Sequence, residues 1–188
     1  MNLAARGTSN TRNPQETKFP QLLEEILKQT TIPRIRISSI GPEYANDHFF
    51  EVINDERILP HFHYSIQSFS DKVLKLMKRN YDSKVLYTVL KKTRQIYTTH
   101  NVETKNVGTR HALSENISIG ADIITGFPGE TEADFLETVK GIQEFGITKL
   151  HAFPFSDHHK GETIPASNYP HQIAESTKKQ RNQHLIKI

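Results

Sequence analysis

Four apolar stretches of the sequence each end in residues that can contact a ligand. Serine, glutamine, glycine, proline or a carboxylate follows every stretch, in the segments SSIGPE (38–43), QSFSD (67–71), GFPGE (126–130) and FPFSD (153–157). If the stretches are parallel strands, these segments meet at one edge of the sheet, the carboxyl edge, where ligands of α/β proteins bind. A single proline-glycine turn is also a good structural corner. The repetition over four strand ends is therefore the stronger indication of a binding site.

Histidines offer a second kind of chemistry. His61 and His63 fall on one face of a predicted strand, and with Asp157, His158 and His159 they could form a metal site of imidazole and carboxylate ligands. The strand pair fits the ordinary rim or core of the fold better than it fits a metal site. We therefore expect no metal site.

The composition excludes several chemistries. The chain of 188 residues has no cysteine, so it contains no disulfide, no thiol nucleophile, no cysteine-based zinc site and no cysteine ligand for an iron–sulfur cluster. Its 35% hydrophobic and 24% charged residues are typical of one folded domain. The net charge of +3 allows nucleic acid as a partner without requiring it.

Strand and helix patterns alternate along the chain. Alternating or β-branched runs predict strands at 34–40, 61–68, 117–126 and 148–155, and helical patterns occupy 19–29, 44–56, 83–97, 131–146 and 172–188. Ser70, Ser83 and Thr131 are predicted helix N-caps, and Gly146 is a predicted helix end. This order predicts βαβ units and a parallel sheet. The polar, aperiodic segment 99–116 is predicted to be a surface insertion.

Four ordered blocks of this pattern resemble the radical-SAM methylthiotransferases, which add a methylthio group to hypermodified adenosine in tRNA. The blocks are RIRISSIGPE (34–43), HFHYSIQSFSDKVLKLMKRNY (61–81), ADIITGFPGETEADFLETV (121–139) and LHAFPFSDHHKGETIPA (150–166). The tail GETIPASNYPHQI (161–173) resembles most the subgroup that acts on threonylcarbamoyladenosine. The resemblance implies an α/β fold, an incomplete (β/α) barrel of the radical-SAM type with a parallel sheet. It would span residues 1–188 as one domain, with a carboxyl-terminal tail or helix at 165–188.

The resemblance also implies S-adenosylmethionine as cofactor, bound across the carboxyl edge. Arg36, Ser38 and Ser39 would follow one strand and border the cofactor. Gln67 and Ser68 would face its methionyl or ribose part.

The remaining implied cofactor residues come from the last two strands. Ile124, Gly126 and Pro128 would border the adenine, and Gly126 would let a flat ligand approach the backbone closely. Phe153 and Phe155 would supply apolar contacts.

The sequence departs from the family pattern in one decisive way. The family holds a 4Fe-4S cluster on a CxxxCxxC loop, and cluster iron requires thiolate ligands that this chain lacks. The family's amino-terminal domain and its carboxyl-terminal RNA-binding barrel also have no counterpart here. Gly41 replaces a usual glutamate, and Tyr64, Ser65 and Phe69 alter a typical HLPLQSGSD block. We interpret the chain as a truncated form that is inactive alone.

A truncated sheet would leave a strand edge unpaired, and such edges favour association. We therefore expect self-association or a partner polypeptide that bears the cysteines, and the resemblance implies tRNA as a further partner. A non-catalytic module for an adenosyl ligand, a half-barrel subunit and a decayed product without function remain alternatives. No apolar run approaches the ~20 residues of a membrane span, and residues 1–17 lack the apolar core of a secretory signal. We expect a cytoplasmic protein without membrane contact.

Overall fold

A computed structural model describes residues 18–103, 117–156 and 165–188 of the chain. The elements in these ranges are, in order, α1 (Lys18–Gln29), β1 (Ser39–Ile40), α2 (Asp47–Val52), β2 (His61–Gln67), α3 (Asp71–Leu76), α4 (Ser83–Glu103), β3 (Ser118–Thr125), α5 (Glu132–Glu144), β4 (Lys149–Pro154) and α6 (Glu175–Ile186). Short 3-10 turns lie at Pro42–Tyr44 and Pro165–Asn168. Within these ranges, the predicted alternation of strands and helices is confirmed.

The four strands form one open parallel sheet in the order β1-β2-β3-β4. Each strand lies beside its predecessor in the chain, as βαβ connections on one side of a sheet produce. The α/β class with a parallel sheet is therefore confirmed. Because all four strands run in the same direction, their carboxyl ends share one edge.

The hydrophobic core lies on one face of this sheet. Phe62, Tyr64 and Ile66 alternate along β2 with no exposed surface, and they join one cluster with apolar residues from all six helices. The intervening residues of β2 therefore point to the opposite face, because neighbouring side chains of a strand point in opposite directions. That opposite face is polar and more exposed.

Local capping explains where several helices begin. Asn46 accepts a hydrogen bond from the backbone of Phe49 at the start of α2, and Ser70 accepts one from Val73 at the start of α3. Thr131 and Asp134 form a reciprocal capping box on α5. The predicted caps at Ser70 and Thr131 are thus confirmed.

One predicted helix boundary differs in detail. The carboxylate of Asp82, not Ser83, accepts from the backbone of Val85 at 3.0 Å in the first turn of α4. An aspartate next to a serine can cap equally well, and the sequence alone does not separate the two. Gly146 ends α5 with φ of +52°, as predicted.

Helix α4 extends through Glu103, so it includes the first residues of the segment predicted as an insertion. Residues 104–116 lie outside the described ranges. The predicted carboxyl-terminal helix is confirmed as α6.

The first strand is shorter than predicted. Residues 34–40 were expected as one strand, but β1 contains only Ser39 and Ile40. Ile35 instead forms a single parallel bridge with Ile58. Its backbone is hydrogen-bonded to Arg57 and Leu59, the two neighbours of Ile58. The register to β2 begins only at Ser39, which pairs with His63.

Candidate functional site

Gln67 is the most unusual of the residues predicted to contact a cofactor. It is the last residue of β2, its φ is +68°, and the pairing with β3 shifts register between Tyr64 and Gln67. Positive φ is uncommon for residues other than glycine and concentrates at functional sites. The residue is only 8% exposed, yet its amide makes no side-chain hydrogen bond within the described ranges. Gln67 is therefore a polar side chain at the carboxyl edge whose amide can still bind a ligand.

Ser68, its neighbour, has a different role in the structure. Its side chain is completely buried, and its hydroxyl lies 3.1 Å from that of Thr138 on α5. The same hydroxyl accepts from the backbone of Ser70 at 3.1 Å. Ser68 thus anchors the loop after β2 to α5, and its predicted cofactor contact stays a prediction.

The turn after β3 is fixed from within. Gly126 has φ of +70°, and its backbone N–H donates to Oε2 of Glu130 at 2.7 Å. Burial raises the pKa of Glu130, although the Gly126 N–H and the Arg181 guanidinium oppose that rise. The Glu130 side chain therefore stabilises the proline-glycine turn by accepting a hydrogen bond from its backbone.

The space beside Gly126 is filled by α6. A Cβ atom at this position would lie 2.4 Å from Cγ of Lys178. The glycine is thus required by packing against the terminal helix and by its positive φ. Its predicted approach to an adenine stays a prediction.

Apolar residues gather in a second, smaller cluster at the carboxyl edge. Phe155, Phe127 and Val73 form its centre, and Ile124 packs against it. The rings of Phe127 and Phe155 are 5.1 Å apart in an edge-to-face arrangement. Two of the predicted cofactor residues, Ile124 and Phe155, are therefore brought to one apolar cluster.

Phe153 and Pro128 lie on different surfaces. Phe153 pairs in register with Ile124 and is 52% exposed on the polar face of the sheet. Pro128 is buried and lines a pocket of about 700 Å³ together with Leu76 of α3 and Tyr169. The structure does not bring Pro128 and Phe153 into one cavity.

Arg36 is separated from the carboxyl edge, contrary to its predicted position. Arg36 and Ser38 precede β1 instead of following it, because β1 starts at Ser39. The Arg36 guanidinium donates to Nε2 of His61 at 2.7 Å. His61 opens β2 and Gln67 closes it, so about 20 Å of strand separates the two ends. Arg36, Ser38 and Ser39 are exposed.

The contact between Arg36 and His61 has an electrostatic consequence. Burial, followed by the positive charges of Arg36 and Lys149, lowers the pKa of His61. The neutral imidazole then accepts from the guanidinium.

A second pocket lies at the end of the sheet opposite the carboxyl edge, where the strands begin. It has a volume of about 610 Å³ and is lined by residues such as Gln143, Gly146 and Lys149, near the amino ends of β3 and β4. None of the ten predicted cofactor residues lines it. We therefore exclude it from the candidate cofactor site.

The polar face also brings together three residues that the sequence reasoning did not combine. His63 on β2, Asp122 on β3 and His151 on β4 place one ligand atom each within 4.8 Å of one another. The sequence hypothesis had joined His63 to His61 and to Asp157, His158 and His159, and the last three lie outside the described residues. Every second residue of a strand lies on the same face of the sheet, and adjacent parallel strands share that face. This pattern could have grouped His63, Asp122 and His151 from the sequence.

Comparison with known proteins assigns this chain to a superfamily. A sequence profile of the radical SAM superfamily matches residues 7–142. Threonylcarbamoyladenosine tRNA methylthiotransferase MtaB is 36% identical over 170 residues in Rickettsia prowazekii and 34% identical over 176 residues in Bacillus subtilis. These matches cover 89% and 93% of this chain. The ribosomal protein uS12 methylthiotransferase RimO of Alkaliphilus oremlandii is 31% identical over 174 residues, or 92% of the chain.

The chain therefore belongs to the radical SAM superfamily. Within it, the relatives to which the chain is similar here are methylthiotransferases, the family that its four strand-end blocks resemble. It spans about a third of the length of these curated relatives, since each match covers 35% of the relative.

Solved structures confirm the fold. Coproporphyrinogen III oxidase HemN from Escherichia coli, a radical SAM enzyme, aligns with a TM-score of 0.63 and 18% identity, over 96% of this chain and 38% of that one. The methyltransferase TsrM from Kitasatospora setae aligns with a TM-score of 0.53 and 13% identity, over 72% of this chain and 23% of that one. The open four-stranded parallel sheet thus has the fold of radical SAM enzymes.

The positions that depart from the family pattern are accommodated locally. Tyr64 is completely buried, and its hydroxyl lies 2.7 Å from that of Thr93. Burial raises the pKa of Tyr64, so the phenol stays protonated. The ring of Phe69 lies against the backbone of Gly141, where a Cβ would approach it to 2.4 Å. These changes therefore build packing contacts on the helix side of the sheet.

The described helices include none that is long and apolar enough to cross a membrane.

Proposed function

We propose that this chain provides the S-adenosylmethionine-binding wall of a radical-SAM tRNA methylthiotransferase. The observation that carries the proposal is Gln67, a residue that is only 8% exposed and has a left-handed backbone conformation at the carboxyl edge of the sheet. Ile124 and Phe155 meet in an apolar cluster at the same edge. A polar group that fixes orientation beside an apolar surface is the usual composition of a small-molecule site.

The two cofactors of the superfamily fit the chain differently. The unpartnered Gln67 amide and the apolar cluster suit a ligand with both polar and aromatic parts. The 4Fe-4S cluster does not fit, since the 188 residues include no cysteine to ligate its iron.

We therefore propose binding and orientation of the cofactor by this chain, without radical chemistry by the chain alone. Formation of 5′-deoxyadenosine by the purified chain would contradict that part of the proposal.

Cofactor binding can be measured by equilibrium dialysis with labelled S-adenosylmethionine. We expect saturable binding that Gln67→Ala weakens by about tenfold, because each lost hydrogen bond in a desolvated site costs ~1–1.5 kcal/mol. Gln143→Ala is the matched control, since Gln143 is exposed on α5 and lines the pocket at the opposite edge. Equal affinity in the two variants, or no saturable binding by the unaltered chain, would refute the proposed site.

A second candidate is a half-barrel subunit that associates through its sheet. The two outer strands of the sheet are β1, which has only two residues, and β4, on which Phe153 is half exposed. Unpaired strand edges with apolar side chains favour association. We propose either self-association or completion by a polypeptide that bears the cysteines.

Light scattering tests self-association, which a stable monomer at moderate concentration would contradict. Purification from cells tests for a partner, which a co-purifying cysteine-rich polypeptide would support. Neither result depends on S-adenosylmethionine binding.

The substrate belongs to the proposal as well. The names of the relatives point to tRNA or to a ribosomal protein, and we propose tRNA because the MtaB relatives match at higher identity. A tRNA-directed role would place the chain in the cytoplasm. Binding of unmodified tRNA, tested by gel shift against a ribosomal protein control, examines this choice.

A further inference from the structure

The polar face of the sheet carries a compact group of two imidazoles and one carboxylate. Nε2 of His63 lies 2.8 Å from Oδ1 of Asp122, and Nδ1 of His151 lies 3.4 Å from the same oxygen. The two imidazole rings are 4.8 Å apart between centroids. The three residues come from the neighbouring strands β2, β3 and β4, so the rigid sheet fixes their backbones.

The surroundings hold these side chains in place. Gly120 pairs in register with His63, and a Cβ at Gly120 would lie only 2.5 Å from Nδ1 of that ring. The missing side chain thus lets the His63 imidazole lie across β3 toward Asp122. The Ser65 hydroxyl donates to Oδ2 of Asp122 at 3.2 Å, which leaves Oδ1 directed at the two histidines. Hydrogen bonds of this kind orient the carboxylate ligands of metal sites.

We propose that His63, Asp122 and His151 bind one divalent transition-metal ion of the zinc class. Two ligands of a tetrahedral zinc ion lie about 3.3–3.4 Å apart, because the bonds are ~2.0–2.1 Å long. The separation of 3.4 Å between His151 and Asp122 already has this value. The hydrogen-bonded pair of His63 and Asp122 would open from 2.8 Å by about half an ångström. The ligand nitrogens of the two histidines, which lie within 4.8 Å of each other, would have to approach to the same separation.

The donor set indicates the kind of metal. Two nitrogens and one oxygen suit zinc, cobalt, nickel or copper, whereas calcium and magnesium prefer oxygen ligands throughout. Lys149 lies on the same face as His151, two residues earlier on β4, and its charge disfavours a weakly held cation. An ion that forms strong bonds to imidazole is therefore required.

Three protein ligands would leave a coordination position open on this face. Sites with three protein ligands and one open position are typical of zinc ions that bind an additional molecule. His151 is the accessible side, with 59% of its side chain exposed. The open position would therefore face solvent or a ligand on the polar face of the sheet.

His61 provides a matched control on the same strand. It lies two residues before His63 on the same face, but its Nε2 accepts from Arg36 at 2.7 Å. It is outside the group of three potential ligands. Loss of His61 should thus remove an imidazole from the face without removing a ligand.

The test is calorimetric titration of the full chain, freed of metal by a chelator, with Zn²⁺ alone. We expect one saturable site per chain. His151→Asn removes a ligand, so it should raise the dissociation constant at least about tenfold. Loss of a residue that only hydrogen-bonds to a ligand already weakens metal binding by about 10–100-fold. His61→Gln should leave the constant within about twofold of the unaltered chain. Because His151 is largely exposed, its replacement should leave the thermal unfolding temperature without metal unchanged.

Visible absorption of bound Co²⁺ gives a second readout of the same site. We expect the intense bands of a four- or five-coordinate ion in the unaltered chain and in His61→Gln, and their loss in His151→Asn and Asp122→Asn. Equal zinc affinity in His151→Asn and His61→Gln would overturn the proposal, as would no saturable zinc binding by the unaltered chain. Neither measurement uses S-adenosylmethionine, so the site stands or fails independently of the proposed function.

Discussion

Arg181 and Glu130 form a buried ion pair beneath the proline-glycine turn, with Nη1 of the arginine 2.7 Å from Oε2 of the glutamate. The same oxygen accepts the backbone N–H of Gly126. The turn after β3 is therefore connected to α6, although 51 residues separate the paired side chains. The segment is therefore a structural corner on the side that faces α6.

Replacing Arg181 by methionine should destabilise the fold strongly. The change leaves the Glu130 carboxylate buried without its cation, which typically costs about 3–5 kcal/mol of unfolding free energy. Urea unfolding followed by circular dichroism measures the loss. Lys28→Met is the control, because it breaks the exposed pair with Glu24 and should change the unfolding free energy far less.

The double variant Arg181→Met/Glu130→Gln sharpens this test. It removes both charges, so much of the stability lost in the single variant should return. A single variant as stable as Lys28→Met would show that the pair contributes little.

Gly126→Ala should destabilise the chain more than Gly146→Ala. Both glycines have positive φ, which costs an alanine roughly 1–2 kcal/mol. At Gly126 the new methyl group would also lie 2.4 Å from Cγ of Lys178, whereas at Gly146 the nearest atom is Nη2 of Arg94 at 3.4 Å. The difference between the two unfolding free energies therefore isolates packing against α6. Equal losses would mean that Lys178 moves aside easily.

The sequence predicted the elements of this fold well because their patterns are local. Thr131 and Asp134 could be identified as a capping box because they lie three residues apart on one helix turn. The residues 34–40 were harder, since alternation in that segment indicates a strand but not its partner. The bridge from Ile35 to Ile58 depends on tertiary pairing that no local pattern contains.

The candidate site was predictable only in part, for the same reason. Gln67 could be assigned to the carboxyl edge from its place after a strand, but its positive φ follows from a register shift against β3. Asp122 and His151 are 29 positions apart, and only the register of β3 with β4 makes them neighbours. Side-chain chemistry is visible in the sequence, whereas juxtaposition across strands is not.

Gly141→Ala should be destabilising in the unaltered chain and stabilising after Phe69→Ala. Alanine in place of glycine within a helix normally adds about 1 kcal/mol of stability. Here the Phe69 ring would lie 2.4 Å from the new Cβ, so overpacking should reverse the sign, typically by ~1–3 kcal/mol. The four unfolding free energies of this double-mutant cycle give the coupling directly. Additive effects would contradict a direct contact between Phe69 and Gly141.

Asp134 should make the stability of the chain fall in acid. Burial alone would raise its pKa, but hydrogen bonds from Lys72, Thr131 and Ser70 outweigh burial and hold the pKa of Asp134 well below its usual range. The unfolded chain then takes up a proton at a higher pH than the folded chain. The contribution of Asp134 is therefore fully present above the unfolded pKa, near 3.8, and is lost as the pH falls toward the folded value.

This sign predicts a smaller acid effect in Asp134→Asn, which cannot titrate. Between pH 6 and pH 3 we expect the unfolding free energy of the unaltered chain to fall by roughly 1 kcal/mol more than that of Asp134→Asn. Asp47→Asn is the matched control, because the Asp47 side chain is 85% exposed and makes one ion pair with Lys92. If the acid-induced loss is as large in Asp134→Asn as in Asp47→Asn, the hydrogen bonds around Asp134 do not stabilise its ionised form.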